Sequence, residues 1–318
     1  MAQINRLKVT VIIPAFNAER FIEKAITSVL IQKEVIEVIV INDGSTDRTR
    51  ELVLAIKDDR IRLLEHEYGL NRGRSASRNL GVKLARSEFI AFLDADDFYL
   101  EDRFAQDMIS FDENESIDGV YNAVGFFDYL DSEVLENRIY PLYTVRQQVE
   151  PTVLFENLVQ GKVGHFHING LTVKRSLFEK TGLFNESLVV TEDSDIFWKM
   201  TLVGNLKTGV INKPVAIRGV HDTNIFNNRD IYKKYFYPFY ESMIRWCSEN
   251  KIPLRQIDIL FKMLWLVRYK EKHTLFNHSL YWLRLTTMHR RLFFSYVSLK
   301  YFPIVRLRRK LFPFIYAN

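Results

Sequence analysis

The amino-acid sequence predicts an α/β protein in which helices cover both faces of a central sheet. Its 318 residues are 47% hydrophobic and 26% charged, which is enough apolar material for a full core. Over residues 8–104, β-branched runs alternate with segments of helical periodicity, and the connections between them are short. This alternation is typical of parallel strands joined by helices that pack on the sheet. The 13 glycines and 8 prolines exclude collagen-like and low-complexity architectures.

The strands and helices of this region follow from two periodicities. Residues 8–13 are mostly β-branched, as in a strand buried on both faces, and apolar residues recur at helical spacing over 21–30. By the same criteria the chain continues with strands at 38–41, 61–65 and 89–93 and helices at 47–56 and 74–85. Ligands bind beyond the carboxyl ends of the strands in such sheets. The loops at Asn17, Asp43 and Asp94 are therefore expected along one edge.

The pattern after residue 115 is less regular. It predicts a strand at 119–129, a helix at 151–158, short strands at 171–173 and 215–217, and a helix at 193–202. After about residue 228 the sequence becomes helical and rich in aromatic and basic side chains. We therefore predict two domains, a sheet-containing domain over 1–225 and a helical extension over 226–318.

Charge is distributed unevenly along the chain. Residues 272–318 hold nine Lys and Arg and no Asp or Glu, whereas residues 1–271 hold 35 basic and 39 acidic residues. Such asymmetry indicates that the basic end meets an anionic surface, either nucleic acid or membrane. Bulky apolar and aromatic residues interleave with the basic ones, which favours the cytoplasmic face of a membrane. The alternative is a helical subdomain that packs on the first domain or on another subunit.

Cysteine content and hydropathy indicate the compartment. A single cysteine, Cys247, excludes a disulfide framework and a cysteine-rich metal centre, so a cytosolic chain is expected. No stretch approaches the roughly 20 apolar residues that a spanning helix needs. The apolar run at 9–13 is short and ends in Pro14, so no signal peptide is expected there.

Two acidic loops follow predicted strands. The first, Asp94-Ala95-Asp96-Asp97, places three carboxylates in four residues, and a divalent cation with oxygen ligands would stabilise them. The alternative is that Asp97 caps the following helix and the other carboxylates are solvated. In the second loop, a glycine turn and a helix cap explain Gly44 through Asp47. Asp43 is not needed for that cap and is free to accept a hydrogen bond from a ligand.

Four motifs occur in order at compatible spacings: 11–19 (VIIPAFNAE), 40–47 (VINDGSTD), 73–79 (GRSASRN) and 92–97 (FLDADD). Together they resemble the signatures of family 2 glycosyltransferases, which are inverting enzymes of the GT-A fold that use nucleotide-diphosphate sugars. The resemblance is strong over 8–104 and weaker to about 221, and nothing specific is recognised beyond. Ser77 stands where the family usually has alanine.

The resemblance implies a set of donor-binding residues. Asp43 would accept the N3–H of a uracil-type base, and Arg78 would lie near the base or the diphosphate. Asp94 would face the ribose and the donor sugar, with Ala95 among the donor-binding residues, and Asp96 would hold the metal, Mn²⁺ or Mg²⁺, that bridges the two phosphates. The residues expected in the nucleoside pocket are Pro14, Phe16 and Glu19.

The resemblance also implies a catalytic base. The segment 191–195 (TEDSD) precedes a helical run, and by itself it is typical of a helix N-cap with acids in the first turn. The preceding 182–188 (GLFNESL) resembles the family's approach to its catalytic Glu-Asp pair. Asp193 is then the expected general base, and Glu192 is the alternative within the pair.

Three histidines have ring nitrogens that could bind a metal. His221 follows a predicted strand, and in relatives of this family a histidine in this region joins the metal shell, where a neutral imidazole suits Mn²⁺ better than Mg²⁺. The alternative for His221 is a surface or packing role. His165 and His167 form an H-x-H pair without a third ligand in view, and we interpret them as acceptor-site or loop residues.

The resemblance implies a metal-dependent hexosyltransferase that uses a UDP-sugar. The acceptor would be a glycan or a lipid-linked glycan in cell-surface polysaccharide synthesis. A sugar-phosphate nucleotidyltransferase is one alternative, but it needs a Gly-rich basic loop after the first strand, and residues 14–19 contain no Gly, Lys or Arg. A non-catalytic protein that binds nucleic acid is another. Its acidic clusters would repel phosphate chains, so no nucleic-acid partner is predicted.

Overall fold

The computed structural model describes residues 8–128, 141–221, 229–271 and 273–305. The chain divides into two compact units, Met1–Arg229 and Asp230–Asn318. The boundary that composition predicted, between 225 and 226, lies a few residues before this division. Of the basic tail, residues 272 and 306–318 lie outside the described residues.

Eleven strands are found in the described part of the first unit. A seven-stranded sheet has the order β10-β6-β9-β4-β1-β2-β3, and a four-stranded sheet has the order β5-β11-β7-β8. The strands are β1 (Val9–Ala15), β2 (Val35–Asn42), β3 (Ile61–Glu65), β4 (Phe89–Phe92), β5 (Phe98–Tyr99), β6 (Gly119–Tyr121), β7 (Val124–Asp128), β8 (Leu142–Tyr143), β9 (Leu171–Lys174), β10 (Leu206–Thr208) and β11 (Ala216–Val220).

Helices alternate with the strands of the large sheet and then make up the second unit. In the first unit they are α1 (Ile22–Leu30), α2 (Thr49–Ala55), α3 (Arg74–Leu84), α4 (Ala105–Glu113), α5 (Pro151–Val159), α6 (Leu177–Thr181) and α7 (Glu192–Val203). The others are α8 (Arg229–Glu249), α9 (Leu254–Arg268), α10 (Leu275–Thr286), α11 (Arg290–Phe293) and α12 (Tyr296–Tyr301).

Alternating side chains of β1 pack on opposite faces of the large sheet. Val11 and Ile13 belong to one apolar cluster with Ile26 of α1, and Ile12 belongs to a second cluster with Val82 of α3. A β-carbon on Gly81 of α3 would lie 2.5 Å from Ile12 Cγ2, so glycine allows this helix to approach the strand closely. The prediction of a sheet covered by helices on both faces is confirmed.

The sheet is mixed because β9 runs antiparallel to both of its neighbours, β4 and β6. The prediction of a single strand at 119–129 is wrong. The chain there forms two strands, β6 and β7, which belong to different sheets. Asn122 lies between them, where its side-chain amide donates to Asp107 Oδ1 and to the Gly170 carbonyl at 2.8 and 3.1 Å. These bonds hold Asn122 in place at the point where the chain leaves the large sheet, in addition to the hydrogen bond from its backbone N–H to the Gly170 carbonyl.

The second unit is helical over its described residues, as the C-terminal helical extension predicts. Trp265 and Phe261 of α9 are completely buried. The hydroxyl of Tyr301 on α12 donates to the Asp258 carbonyl at 3.2 Å, and its ring packs on Phe261 with centroids 5.3 Å apart. Among the described residues no helix combines the length and the apolar character that crossing a membrane requires.

Candidate active site

A cavity of about 410 Å³ opens at the carboxyl edge of β1 and β2. It is lined by Pro14 and Phe16 at the end of β1, by Asp43 after β2 and by Arg74 at the start of α3. Phe16 is 51% exposed, so its ring is available for stacking on a flat ligand. The structure therefore brings together three of the residues predicted to bind the nucleoside, although they come from two separate motifs.

Asp43 already has a structural role. Its carboxylate accepts hydrogen bonds from the backbone N–H groups of Arg72 and Gly73, at 2.7 and 2.9 Å. Gly44 has φ +73°, and a β-carbon there would lie 2.8 Å from the Gly69 carbonyl oxygen, so glycine is required for the loop before α3 to approach β2. Asp43 therefore shapes the cavity wall, and its uracil contact stays a prediction that uses the remaining lone pairs.

Glu19 is not among the residues that line this cavity. Its carboxylate accepts a hydrogen bond from the backbone N–H of Arg48 at 3.0 Å, and its own N–H donates to Asp47 at 3.0 Å. These two bonds fasten the loop after β1 to the start of α2. The resemblance placed Glu19 in the nucleoside pocket, whereas the structure gives it a role in holding two loops together.

Arg78 joins the two acidic clusters. Its guanidinium is fully buried and donates to Asp94 at 2.7 Å, to Asp193 at 2.8 Å and to Glu192 at 3.2 Å. Burial alone would lower the pKa of Arg78, but the facing carboxylates raise it, so the group stays charged. The resemblance placed Arg78 near the base or diphosphate, whereas the structure shows it bound to Asp94 in the loop after β4 and to carboxylates of α7. Asp94 and α7 are thereby held side by side.

The two members of the acidic pair differ in accessibility. Glu192 is completely buried, and Arg74 and Arg78 both donate to its carboxylate. The Asp193 side chain accepts a hydrogen bond from Arg78 and is still 27% exposed. Thr191, the residue before α7, has φ +66° and makes no side-chain capping bond. Of the pair, Asp193 is thus the carboxylate that an incoming hydroxyl group can reach.

Burial, together with the charge of Asp193, raises the pKa of Glu192 to about 7, against the lowering effect of Arg74 and Arg78. The folded protein therefore holds this proton more tightly than the unfolded chain. The free energy of unfolding is expected to fall as pH rises from about 4.5 to about 7. We expect Glu192→Gln to remove that part of the pH dependence, as measured by urea unfolding on both sides of the window. Glu179→Gln, at an exposed site on α6, is the matched control, and an identical pH profile for both variants would contradict this assignment.

The side chains of the Asp94–Asp97 loop have different hydrogen-bond partners. Asp97 is buried and accepts hydrogen bonds from the Asn169 side chain at 2.5 Å and from the Gly219 N–H at 2.7 Å. The strand β5 follows it, so the proposal that Asp97 caps a helix is wrong. Ala95 is buried in the apolar cluster beside β1, so its side chain is directed away from the donor site predicted for it.

The carboxylates of this loop also differ in the direction of their pKa shifts. Burial would raise the pKa of Asp94, but the Arg78 charge lowers it to about 2. Burial and the neighbouring Asp94 raise the pKa of Asp96. Burial, with Asp96 and Asp94, raises that of Asp97 well above its usual range. This loop concentrates negative charge that a cation would relieve.

Two arrangements in this region have the chemistry of a divalent-metal site. Asp96 Oδ2 lies 2.8 Å from His221 Nε2, and the His221 ring stacks on Phe21 with centroids 4.9 Å apart. The predicted pair of ligands is therefore in direct contact. In addition, ligand atoms of Asp94, Asp97 and His167 lie within 4.8 Å of one another.

Sequence reasoning missed three residues of the site. Arg74 lies in the 73–79 motif but had no role assigned, and it pairs with Glu192. His167 was interpreted as an acceptor-site or loop residue, but it is buried beside Asp94, and burial lowers its pKa to about 4, so the ring is neutral. Asn169 accepts a bond from the Asp94 N–H at 3.2 Å and donates to Asp97. His165 lies apart, against Tyr143.

Comparison with known proteins identifies glycosyltransferase relatives of this chain. The family model described as glycosyl transferase family 2 matches residues 10–182. An uncharacterised glycosyltransferase of Rickettsia typhi is 28% identical over 69% of this chain and 66% of its own length. The succinoglycan biosynthesis protein ExoU of Rhizobium meliloti is 31% identical over 59% of this chain and 55% of its own. The chain thus matches two thirds or less of the length of these curated relatives.

Solved structures show the same fold. The S. aureus TarS 1–349 structure in complex with UDP-GlcNAc is 18% identical, with a TM-score of 0.64, and the match covers 95% of this chain and 92% of that one. The complex of the same protein with UDP gives a TM-score of 0.60. The predicted GT-A fold is confirmed by this likeness. Since the family model matches more than half of its residues and the fold agrees, the chain belongs to glycosyl transferase family 2.

Proposed function

We propose that this glycosyltransferase moves a sugar from a UDP-linked donor to an acceptor hydroxyl with inversion at the anomeric carbon. The observation that carries the proposal is the Arg78 guanidinium, which holds Asp94 at the donor edge of the sheet against Asp193 on α7. One cation thus brings a carboxylate suited to the donor next to a carboxylate suited to proton transfer. A single displacement needs a base within hydrogen-bond reach of the acceptor hydroxyl while the donor is held beside it.

The cavity at the carboxyl edge is the proposed nucleoside site. Phe16 offers an exposed ring, and Asp43 offers carboxylate lone pairs at the cavity wall. Its volume of about 410 Å³ lies within the range of small-molecule pockets. TarS, which has the same fold, has been solved with UDP and with UDP-GlcNAc, and this supports a uridine nucleotide as the donor here.

Asp96 and His221 are the proposed metal ligands. Their contacting atoms are a carboxylate oxygen and an imidazole nitrogen, a donor set that fits Mn²⁺ or Mg²⁺. Both oxygens of Asp97 already accept hydrogen bonds from Asn169 and Gly219, so Asp97 is better suited to orienting the loop than to binding the ion. When bound, the cation would supply positive charge to the leaving diphosphate.

Asp193 is the proposed general base. The acceptor oxygen forms a bond to the anomeric carbon as the bond from that carbon to the diphosphate oxygen breaks, and the acceptor proton passes to Asp193. Glu192 is the weaker candidate, because its carboxylate is buried and is bound to two arginines. Arg78 orients the Asp193 carboxylate through a hydrogen bond of 2.8 Å.

The relatives support a role in cell-surface glycan synthesis. ExoU is named for succinoglycan biosynthesis, and GgaA of Bacillus subtilis, which is 31% identical over 64% of this chain and 45% of its own length, is named for minor teichoic acid biosynthesis. We propose a glycan or lipid-linked glycan as the acceptor.

A donor screen tests the reaction. We expect the purified protein with Mn²⁺ to release UDP from at least one UDP-sugar, and to do so faster when a glycan acceptor is added. The measurement is nucleotide release across a panel of nucleotide sugars, with the same panel in EDTA as the control. Release of pyrophosphate from a nucleoside triphosphate and a sugar phosphate, without any UDP release, would instead identify a nucleotidyltransferase and contradict the proposal.

We further propose that the second unit docks on the cytoplasmic face of a membrane. Phe276 and Leu280 of α10 are 69% and 50% exposed, and Phe294 and Leu299 are 84% and 66% exposed. Large exposed apolar side chains beside basic ones suit the headgroup region of an anionic bilayer.

Vesicle co-sedimentation tests the docking. We expect the full chain to bind vesicles that contain anionic lipid more tightly than neutral vesicles. Replacing both Phe294 and Leu299 with serine should weaken binding. About 1.5–3 kcal/mol of transfer free energy is lost for each large apolar side chain that is removed. Leu54→Ser, at a site on α2 that is 46% exposed, is the matched control. Equal binding to neutral and anionic vesicles would refute the docking proposal.

A further inference from the structure

The second unit contains a cavity of about 430 Å³ that the proposed reaction does not use. It lies where the end of α8 meets the start of α11, and it is lined by Ser248, Glu249, Lys251, His289, Arg290 and Arg291. Its volume is within the range of sites for small ligands. Three of the six lining side chains carry a fixed positive charge, and Glu249 is the only acid among them.

One of the residues that line the cavity has an unsatisfied hydrogen-bond donor. Arg291 Nη1 is buried and has no hydrogen-bond partner among the described residues. A buried guanidinium nitrogen without an acceptor is costly, and negative charge bound in the adjacent cavity would stabilise the guanidinium. Because guanidinium groups bind phosphate oxygens in a fork geometry, a phosphate group is the ligand that best fits the neighbouring Arg290 and Arg291.

Two further features supply donors. His289 Nδ1 accepts a hydrogen bond from the Arg291 N–H at 3.2 Å, so the neutral ring carries its hydrogen on Nε2 and can donate it. Lys251 has φ +57°, a backbone conformation in which glycine or asparagine is normally favoured. A lysine at this strained position, with its side chain lining the cavity, is consistent with a functional ammonium group.

We propose that this cavity binds the phosphate of an anionic lipid headgroup, which rests on the membrane docking proposed above. The chain leaves the cavity at Arg291 and immediately presents exposed apolar side chains at Phe293 and Phe294. Tyr296 and Leu299 continue this exposed surface. A soluble phosphate would use the same donors but would leave the apolar side chains without a role. A bilayer interface accommodates both.

Lys251→Gly and Arg290→Gln test the site in the full chain. Glycine relieves the positive φ, so Lys251→Gly should melt at the same temperature as the wild type or higher. We expect each variant to weaken binding to phosphatidylcholine vesicles that contain phosphatidic acid by at least about tenfold, since charge-assisted hydrogen bonds are lost. Lys270→Gln, which removes one exposed charge outside the cavity, should weaken binding by about fivefold or less.

Three results would overturn the inference. Equal losses in Lys251→Gly and Lys270→Gln would mean that only diffuse charge acts. If both cavity variants weaken the binding of inorganic phosphate but leave vesicle binding unchanged, the ligand is a soluble phosphate instead. Absence of wild-type binding to phosphatidic acid vesicles would exclude the lipid as well. Release of UDP is measured in parallel, so failure of the sugar-transfer proposal would be seen separately from failure of the lipid site.

Discussion

Replacing Asp193 with asparagine is expected to lower turnover by about 10²- to 10⁴-fold, which is the usual contribution of a positioned general base. Asparagine keeps the shape of the side chain and can still accept the hydrogen bond from Arg78, which is 2.8 Å long in the structure. The fold and the donor site should therefore survive. We expect the dissociation constant for UDP, measured by calorimetry, to change little while the rate of sugar transfer falls.

Glu192→Gln is the matched variant for this experiment. Because Glu192 is buried against Arg74 and Arg78 and does not face solvent, its replacement should reduce turnover less than that of Asp193. An inactive Glu192→Gln beside an active Asp193→Asn would reverse the assignment within the pair. It would also require α7 to move before catalysis, because no acceptor hydroxyl reaches Glu192 in this conformation.

Replacing Asp96 with asparagine is expected to reduce turnover by about 10³-fold or more, because a metal ion stabilises transition-state charge by several kcal/mol and about 1.4 kcal/mol corresponds to tenfold. Asp96 is 29% exposed at its side chain and lies against His221. The variant should fold, since removing one of several like charges relieves repulsion in this loop. The measurements are transfer rate against Mn²⁺ concentration and the Mn²⁺ affinity itself.

Asp102→Asn is the matched control for Asp96. Asp102 is exposed and has φ +54°, which asparagine tolerates well. Full activity of Asp96→Asn, or of the wild type in excess EDTA, would contradict the assignment of Asp96 as a metal ligand. If His167→Ala abolishes Mn²⁺ binding while Asp96→Asn does not, the ion is held by the group that includes Asp94, Asp97 and His167.

The local elements of the first unit could be predicted from sequence because each has its own periodicity. The strand at 61–65 matches β3 residue for residue, and the helix predicted at 74–85 differs from α3 by one residue. The segment 119–129 was predicted less well. Its β-rich composition indicates strand, but the exit of Asn122 from the sheet depends on Asp107 and Gly170, which are distant in sequence.

The motifs also predicted which loops lie at the edge of the sheet. Pro14, Phe16 and Asp43 do meet at one cavity, as expected for loops at the carboxyl edge of parallel strands. Glu19 and Ala95 were predicted in the same way, but the structure directs them elsewhere. A motif specifies which loop lies at the edge. The side-chain direction within that loop depends on which backbone donors and apolar neighbours are near.

By itself the sequence determined the α/β alternation, the family, the two acidic clusters and the basic helical end of this protein. Only the tertiary structure decided that Arg78 joins these clusters, across 115 positions to Asp193, and that Asp193 rather than Glu192 is open to solvent. The physical reason is the range of the interactions. Periodicity and capping act over a few residues and are visible in one segment. Burial and ion pairing arise only when β4, α3 and α7 are packed together, and no local pattern records which carboxylate will then be covered.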